Sequence, residues 1–170
     1  MPAAELTLRE GRIIDSIDGW LMLGSPSEAL MEFGRLSPVG ASHPRSLDAR
    51  WRIAAAMRDW DSALEAAVQL QQVAPDDPAG WIHRSYAIRR HKLGGLHKAW
   101  DALLPAASRF PKVSVIPYNL ACYAAQLGQP IDAWDWLHRA IEAAEDIRLI
   151  KNQALNDPDL KPIWDRVKGL

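Results

Sequence analysis

The sequence predicts an all-α protein: an antiparallel helix-pair solenoid of about four repeats, closed by C-terminal capping helices. Three observations predict it. Apolar residues recur at helical spacing along most of the chain. A turn recurs between helical runs, as Leu23-Gly24-Ser25-Pro26, Met57-Arg58-Asp59-Trp60, Leu93-Gly94-Gly95-Leu96 and Leu127-Gly128-Gln129-Pro130. Each turn precedes a small residue one turn into the next helix, Ala29, Ala63, Ala99 and Ala133, at steps of 34, 36 and 34 residues. Such a step marks stacked helical hairpins, and a small side chain at the crossing lets paired helices approach closely.

The first helix is expected from Thr7 to Leu23, on Leu8, Ile13, Ile14, Ile17, Trp20, Leu21 and Leu23. Its partner runs from Ser27, as N-cap, to Leu36. Ser37 to Pro44 reads as a loop by composition. The second pair starts near Arg45; Leu47, Trp51, Ile53, Ala54 and Met57 mark its first helix, and Asp61 is the expected cap of its second, which ends at Ala74-Pro75-Asp76-Asp77-Pro78. In the third pair, Trp81 to Leu93 is read as a first helix two residues longer than the others, which gives the step of 36. His97 to Arg109 follows, with a kink or a break expected at Pro105, because an interior proline removes a helix hydrogen bond. The fourth pair spans Ile116 to Ala144. Beyond it come a helix from Glu145 to Ala154 and a short final one with Leu160, Ile163, Trp164 and Val167 on one face.

Composition narrows the class. Hydrophobic residues make up 48% and charged residues 24% of 170 residues, enough for one domain with a core. A net charge of −1 gives no global attraction to nucleic acid or to an anionic membrane, and neither is expected as a partner. The start, Met1-Pro2-Ala3-Ala4-Glu5-Leu6, lacks a basic and apolar leader, and no apolar run reaches bilayer length. One cysteine, Cys122, points to a reducing compartment, and the expectation is a cytoplasmic protein.

The chain resembles the tetratricopeptide repeat (TPR) family, in its bacterial form. The residues that carry the likeness are Gly24, Ala29 and Phe33; Trp60, Ala63 and Pro75; Trp81, Gly94, Ala99 and Pro111; Leu120, Ala121, Gly128, Ala133 and Ala140. The segment Ala154 to Leu160 is similar to the closing segment of many bacterial members. Departures are Arg58 in place of a turn glycine and missing aromatics in the first helices of repeats one and two. The resemblance implies a right-handed TPR-like solenoid as a single domain over 1–170, with repeats at about 10–43, 44–77, 78–113 and 114–147 and a cap at 145–170. It implies a non-catalytic scaffold that holds a peptide or protein segment in a concave groove lined by first helices.

Polar residues at the groove-facing positions are Arg52, His83, Tyr86, Arg89 and Arg90, then Tyr118, Asn119, Cys122 and Gln126. Guanidinium forks pair carboxylates bidentately, so an acidic or C-terminal carboxylate partner is expected. Only Asn119 fits a carboxylate-clamp slot, so that clamp is not assigned. His83, His91 and His97 lack convergent metal-ligand spacing and read as surface residues; no metal or cofactor is expected. Cys122 lacks the base or helix N-terminus that activates a nucleophile, and His138 is its nearest candidate base. Trp134 and Trp136 lie two apart, so they face different ways. Two other classes stay open: a homo-oligomeric assembly module using an apolar edge, and an enzyme built on a helical solenoid, which would need a deep pocket.

Overall fold

A computed structural model describes residues 5–170 and divides the chain into two compact units, Met1–Leu93 and Gly94–Leu170. Met1 to Ala4, read above for a leader, lie outside the described residues. No strand occurs among the described residues, and none of their helices is long and apolar enough to cross a membrane.

The first unit holds α1 (Leu8–Met22), α2 (Pro26–Phe33), α3 (Pro38–Ala41), α4 (Pro44–Ala56), α5 (Trp60–Val73) and α6 (Pro78–Arg90). Helices α1 and α2 pair, α4 and α5 pair, and α4 packs on both members of the first pair. Helix α6 packs on α5 and α4. Ile13, Ile17, Ala29, Ala49 and Ile53 form one core cluster; Ala54, Ala63 and Ala87 form another under Trp51, Trp60 and Leu64.

The second unit holds α7 (Leu96–Arg109), α8 (Val115–Gln126), α9 (Pro130–Glu142), α10 (Ile147–Asn156), a 3₁₀ helix (Pro158–Ile163) and α11 (Trp164–Lys168). Helix α8 packs between α7 and α9, and the 3₁₀ helix lies on α8 and α9, where a solenoid needs a cap. Ala29, Ala63, Ala99 and Ala133, the four residues of the repeat register, are all fully buried.

Several boundaries differ from expectation, mostly through proline. Pro26, Pro38, Pro44, Pro78 and Pro130 each open a helix, because a residue at the first helical position needs no N–H partner and its φ is already helical. Ser25, not Ser27, is therefore the N-cap residue of α2. The supposed loop at 37–44 contains the one-turn α3, whose Gly40 N–H is capped by the Ser37 hydroxyl at 3.0 Å. Asp59, not Asp61, caps α5 through the Ser62 N–H. Helix α7 runs through Pro105 without breaking, held by the buried Leu103 and Ala106 on either side.

The two extra residues of repeat three sit in a turn, not in a helix. Helices α4 and α6 have 13 residues each, whereas the turn after α6 runs from His91 to Gly95 and the others take three residues, such as Met57 to Asp59. Arg58 stands in for the absent glycine: its φ is 57°, beside 70° at Gly24 and 76° at Gly128. A side chain in the left-handed region is strained. Arg58→Gly is expected to raise stability by about 0.5–1 kcal/mol in urea unfolding; a loss would show that the Arg58 side chain carries a compensating contact.

Glu10 ties α1 to α3. Its carboxylate accepts from the Thr7 N–H at 3.0 Å, the Thr7 hydroxyl at 2.7 Å and the Ser37 hydroxyl at 2.5 Å. The Ser37 bond, then those from Thr7, lower its pKa from 4.5 to about 2. A carboxyl lowered on folding stabilises the fold fully above its unfolded value, and this is lost as pH falls through the folded one. Stability is expected to drop between pH 4.5 and 2, and Glu10→Gln should flatten that part of the profile; an unchanged slope would exclude Glu10 as its source. Gly40 is matched to this contact, since a Cβ there would collide with the Glu10 carboxylate.

Candidate functional site

In the first unit the polar residues of α1, α4 and α6 meet in one band. Arg52 of α4 holds two carboxylates: Nη2 lies 2.7 Å from Asp18 of α1, and Nε donates to Asp48 at 2.9 Å. The other Asp48 oxygen lies 2.7 Å from His83 Nε2 on α6. Burial pushes the Asp48 carboxyl up, but the His83 ring and then Arg52 outweigh it and hold it below the usual carboxylate value. Asp18, Asp48 and Arg52, with Arg45 and Asp77, line a small hollow of about 210 Å³.

Aromatic contacts extend the band. The His83 ring stacks on Trp51 at 3.8 Å, nearly parallel to it, while Trp51 Nε1 donates to the His83 carbonyl at 3.2 Å. Tyr86 meets Trp51 edge-on at 5.7 Å, and the Arg90 guanidinium lies over Tyr86 at 3.5 Å and Trp60 at 5.6 Å. The band therefore unites Arg52, His83, Tyr86 and Arg90, with the half-buried Arg89 one residue from Arg90 on α6. Asp18, Trp51 and Trp60 were not among the expected site residues. For Asp18 the signal was the repeat step itself: Asp18 and Arg52 are 34 residues apart in the sequence, just as Asp48 and His83 are 35 apart. Equivalent positions of neighbouring repeats stack, so pairs one step apart are contact candidates.

In the second unit the expected residues hold the cap. The Tyr118 hydroxyl donates to Asp157 Oδ2 at 3.0 Å, Cys122 Sγ to the same oxygen at 3.6 Å, and Gln126 Nε2 to the Asp159 carbonyl at 2.9 Å. Tyr118 and Cys122 are buried beneath that segment. Burial first, then Cys122 and Asp157, raises the Tyr118 hydroxyl pKa and keeps it a donor. These three residues, eight positions end to end on α8, lie on one stripe, and the C-terminal segment occupies it. Asn119, beside the stripe, is half-buried. Acceptor and donor atoms of Cys122, Asp157 and Asp159 come within 4.8 Å of one another. Both Asp157 oxygens are already engaged, the second by the Asp159 N–H at 3.0 Å, so the group closes the fold.

The other singled-out residues settle into packing. His91 accepts from the Leu93 N–H on Nδ1, so Nε2 carries the proton and donates to Asp61 at 2.6 Å. His138 packs on Trp134 rather than beside a nucleophile. Trp136 meets Trp100 of α7 at 5.9 Å, whereas Trp134 faces Arg166 of α11 at 5.8 Å. Trp136 also lines an open hollow of about 1100 Å³, with Phe110, Pro111, Arg139 and Glu142.

These elements define the class: a helical-repeat protein of the TPR fold. A thermophilic TPR protein from Thermus thermophilus has a similar structure, with a TM-score of 0.69 at 19% identity over 95% of this chain and 100% of that one. No protein-family profile and no curated protein sequence matches the chain. The likeness establishes the fold.

Proposed function

We propose that this protein is a non-catalytic interaction scaffold of a reducing, cytoplasmic compartment. It receives a segment of another protein on the α4–α6 face of its first unit, by way of an acidic side chain or a C-terminal carboxylate. One observation carries the reading: the Arg90 guanidinium rests on the Tyr86 ring at 3.5 Å and beside Trp60. Stacking engages the flat face of a guanidinium and fixes its orientation beforehand, while a carboxylate pairs with its edge. Arg89 adds a second cation on the same turn. Arg52 plays a different part: paired with Asp18 and Asp48, it locks α1 to α4.

The test is fluorescence polarisation with labelled peptides that differ only in acidic against neutral side chains and free against amidated C-termini. Arg89→Ala with Arg90→Ala is expected to weaken the acidic peptide about 10- to 100-fold, the range for losing charge-assisted pairs. Equal binding of acidic and neutral peptides, or an unchanged affinity in that variant, would sink the carboxylate reading.

A further inference from the structure

The first unit carries a second face, on the side of α1 away from α4. Asp18, which reaches α4 through Arg52, marks one side of α1. Nine residues back, at 100° per residue, Arg9 lies about 180° around the helix. There α1 and α2 enclose an open hollow of about 440 Å³, lined by Leu8, Arg9, Arg12, Ile13, Glu32 and Arg35. Its charge is one-sided. Glu32 is taken by Arg35, whose Nη1 donates to both carboxylate oxygens at 2.7 and 2.8 Å, while Arg9 and Arg12, one turn apart, are in no ion pair among the described residues. It also has apolar surface: Leu8 in its lining is 77% exposed, and Trp20, one helical turn after the lining Ser16 on α1, is 36% exposed.

We propose that this face docks an acidic amphipathic helix of another protein. Two adjacent helices form the groove into which a third packs, and a repeat pair presents such a face to whatever stacks beyond it. Leu8 and Trp20 supply the apolar contact, and the uncompensated Arg9 and Arg12 select Glu or Asp along the flanks of the incoming helix. Helix α1 has 15 residues, so the matching partner segment has about four turns. This face is separate from the Arg90 site, and the two stand or fall independently.

The probe is a synthetic amphipathic peptide of about that length, Leu on one face and Glu on its flanks, compared with the same peptide bearing Lys for Glu. Titrated into the full chain by fluorescence anisotropy, the Glu peptide is expected to bind and the Lys peptide not to, with affinity falling as salt rises. Arg9→Glu with Arg12→Glu should weaken the Glu peptide about tenfold or more. Both positions are exposed, and helical circular dichroism checks that the variant still folds. Repeated in an Arg89→Ala, Arg90→Ala background, which removes the other acidic-peptide site, the preference for Glu over Lys and its loss with Arg9→Glu and Arg12→Glu should both persist. Equal affinity for the two peptides, or none lost in the Arg9/Arg12 variant, would overturn the proposal. So would light scattering that shows a dimer dissolved by that variant, which would give the face to a second copy. Tighter binding to anionic vesicles than to the peptide would also overturn it.

Discussion

Gly80→Ala is expected to destabilise the first unit by about 1–3 kcal/mol, the range for forcing extra volume into a packed contact. A Cβ at Gly80 would lie 2.7 Å from the Gln71 N and 2.8 Å from its Cα. Both atoms are backbone of α5, so no side chain can swing aside, and the two helices must part. Alanine otherwise favours a helix over glycine by roughly 1 kcal/mol, which makes the sign of the effect informative. Urea unfolding gives the loss. Hydrogen exchange should place it in α5 and α6, with α8 and α9 protected as before. A stabilised variant would mean that α5 and α6 are not in backbone contact.

Asp157→Ala is expected to cost about 2–4 kcal/mol in the second unit. It removes the acceptor for the buried Tyr118 hydroxyl and the Cys122 thiol and the cap of the 3₁₀ helix, and a buried donor left unpaired costs about 1–3 kcal/mol. Tyr118→Phe removes one of these donors, so the double variant should lose less than the sum of the two singles. Additive losses, or a small loss from Asp157→Ala alone, would show that the C-terminal segment is not held by this carboxylate.

The sequence carried the repeat register well because the constraint is local and steric. Ala29, Ala63, Ala99 and Ala133 each sit one turn into a second helix, and all four are fully buried. Helix boundaries were harder to read. Proline stops one helix and starts another, and Pro26, Pro38 and Pro78 act as starts here. Arg58 hid a turn that its neighbours spell with glycine, because the hydrogen bonds that close α4, Arg58 N–H to Ala55 O at 3.1 Å and Asp59 N–H to Ala54 O at 2.9 Å, hold its backbone in a conformation its own preference opposes.

The site was readable only in part. Groove-facing residues could be placed on first helices, but periodicity does not say what lies opposite them. Arg52 faces Asp18 one repeat before, and Tyr118, Cys122 and Gln126 face a C-terminal segment more than thirty residues later. The partner of a cation such as Arg52 cannot be read from the sequence around it. The stacking of Arg90 on Tyr86 depends on a rotamer that sequence does not fix.

The claim on which the functional account rests is that a partner's carboxylate meets the first unit at the Arg90–Tyr86 stack. Amide chemical-shift mapping with an acidic-tailed peptide tests it most directly. Shifts concentrated on α4 and α6, centred near Tyr86 and Arg90 and absent in Arg90→Ala, are the predicted result. Saturable binding whose shifts fall elsewhere, on α1 and α2 or along α7 and α9, would contradict it.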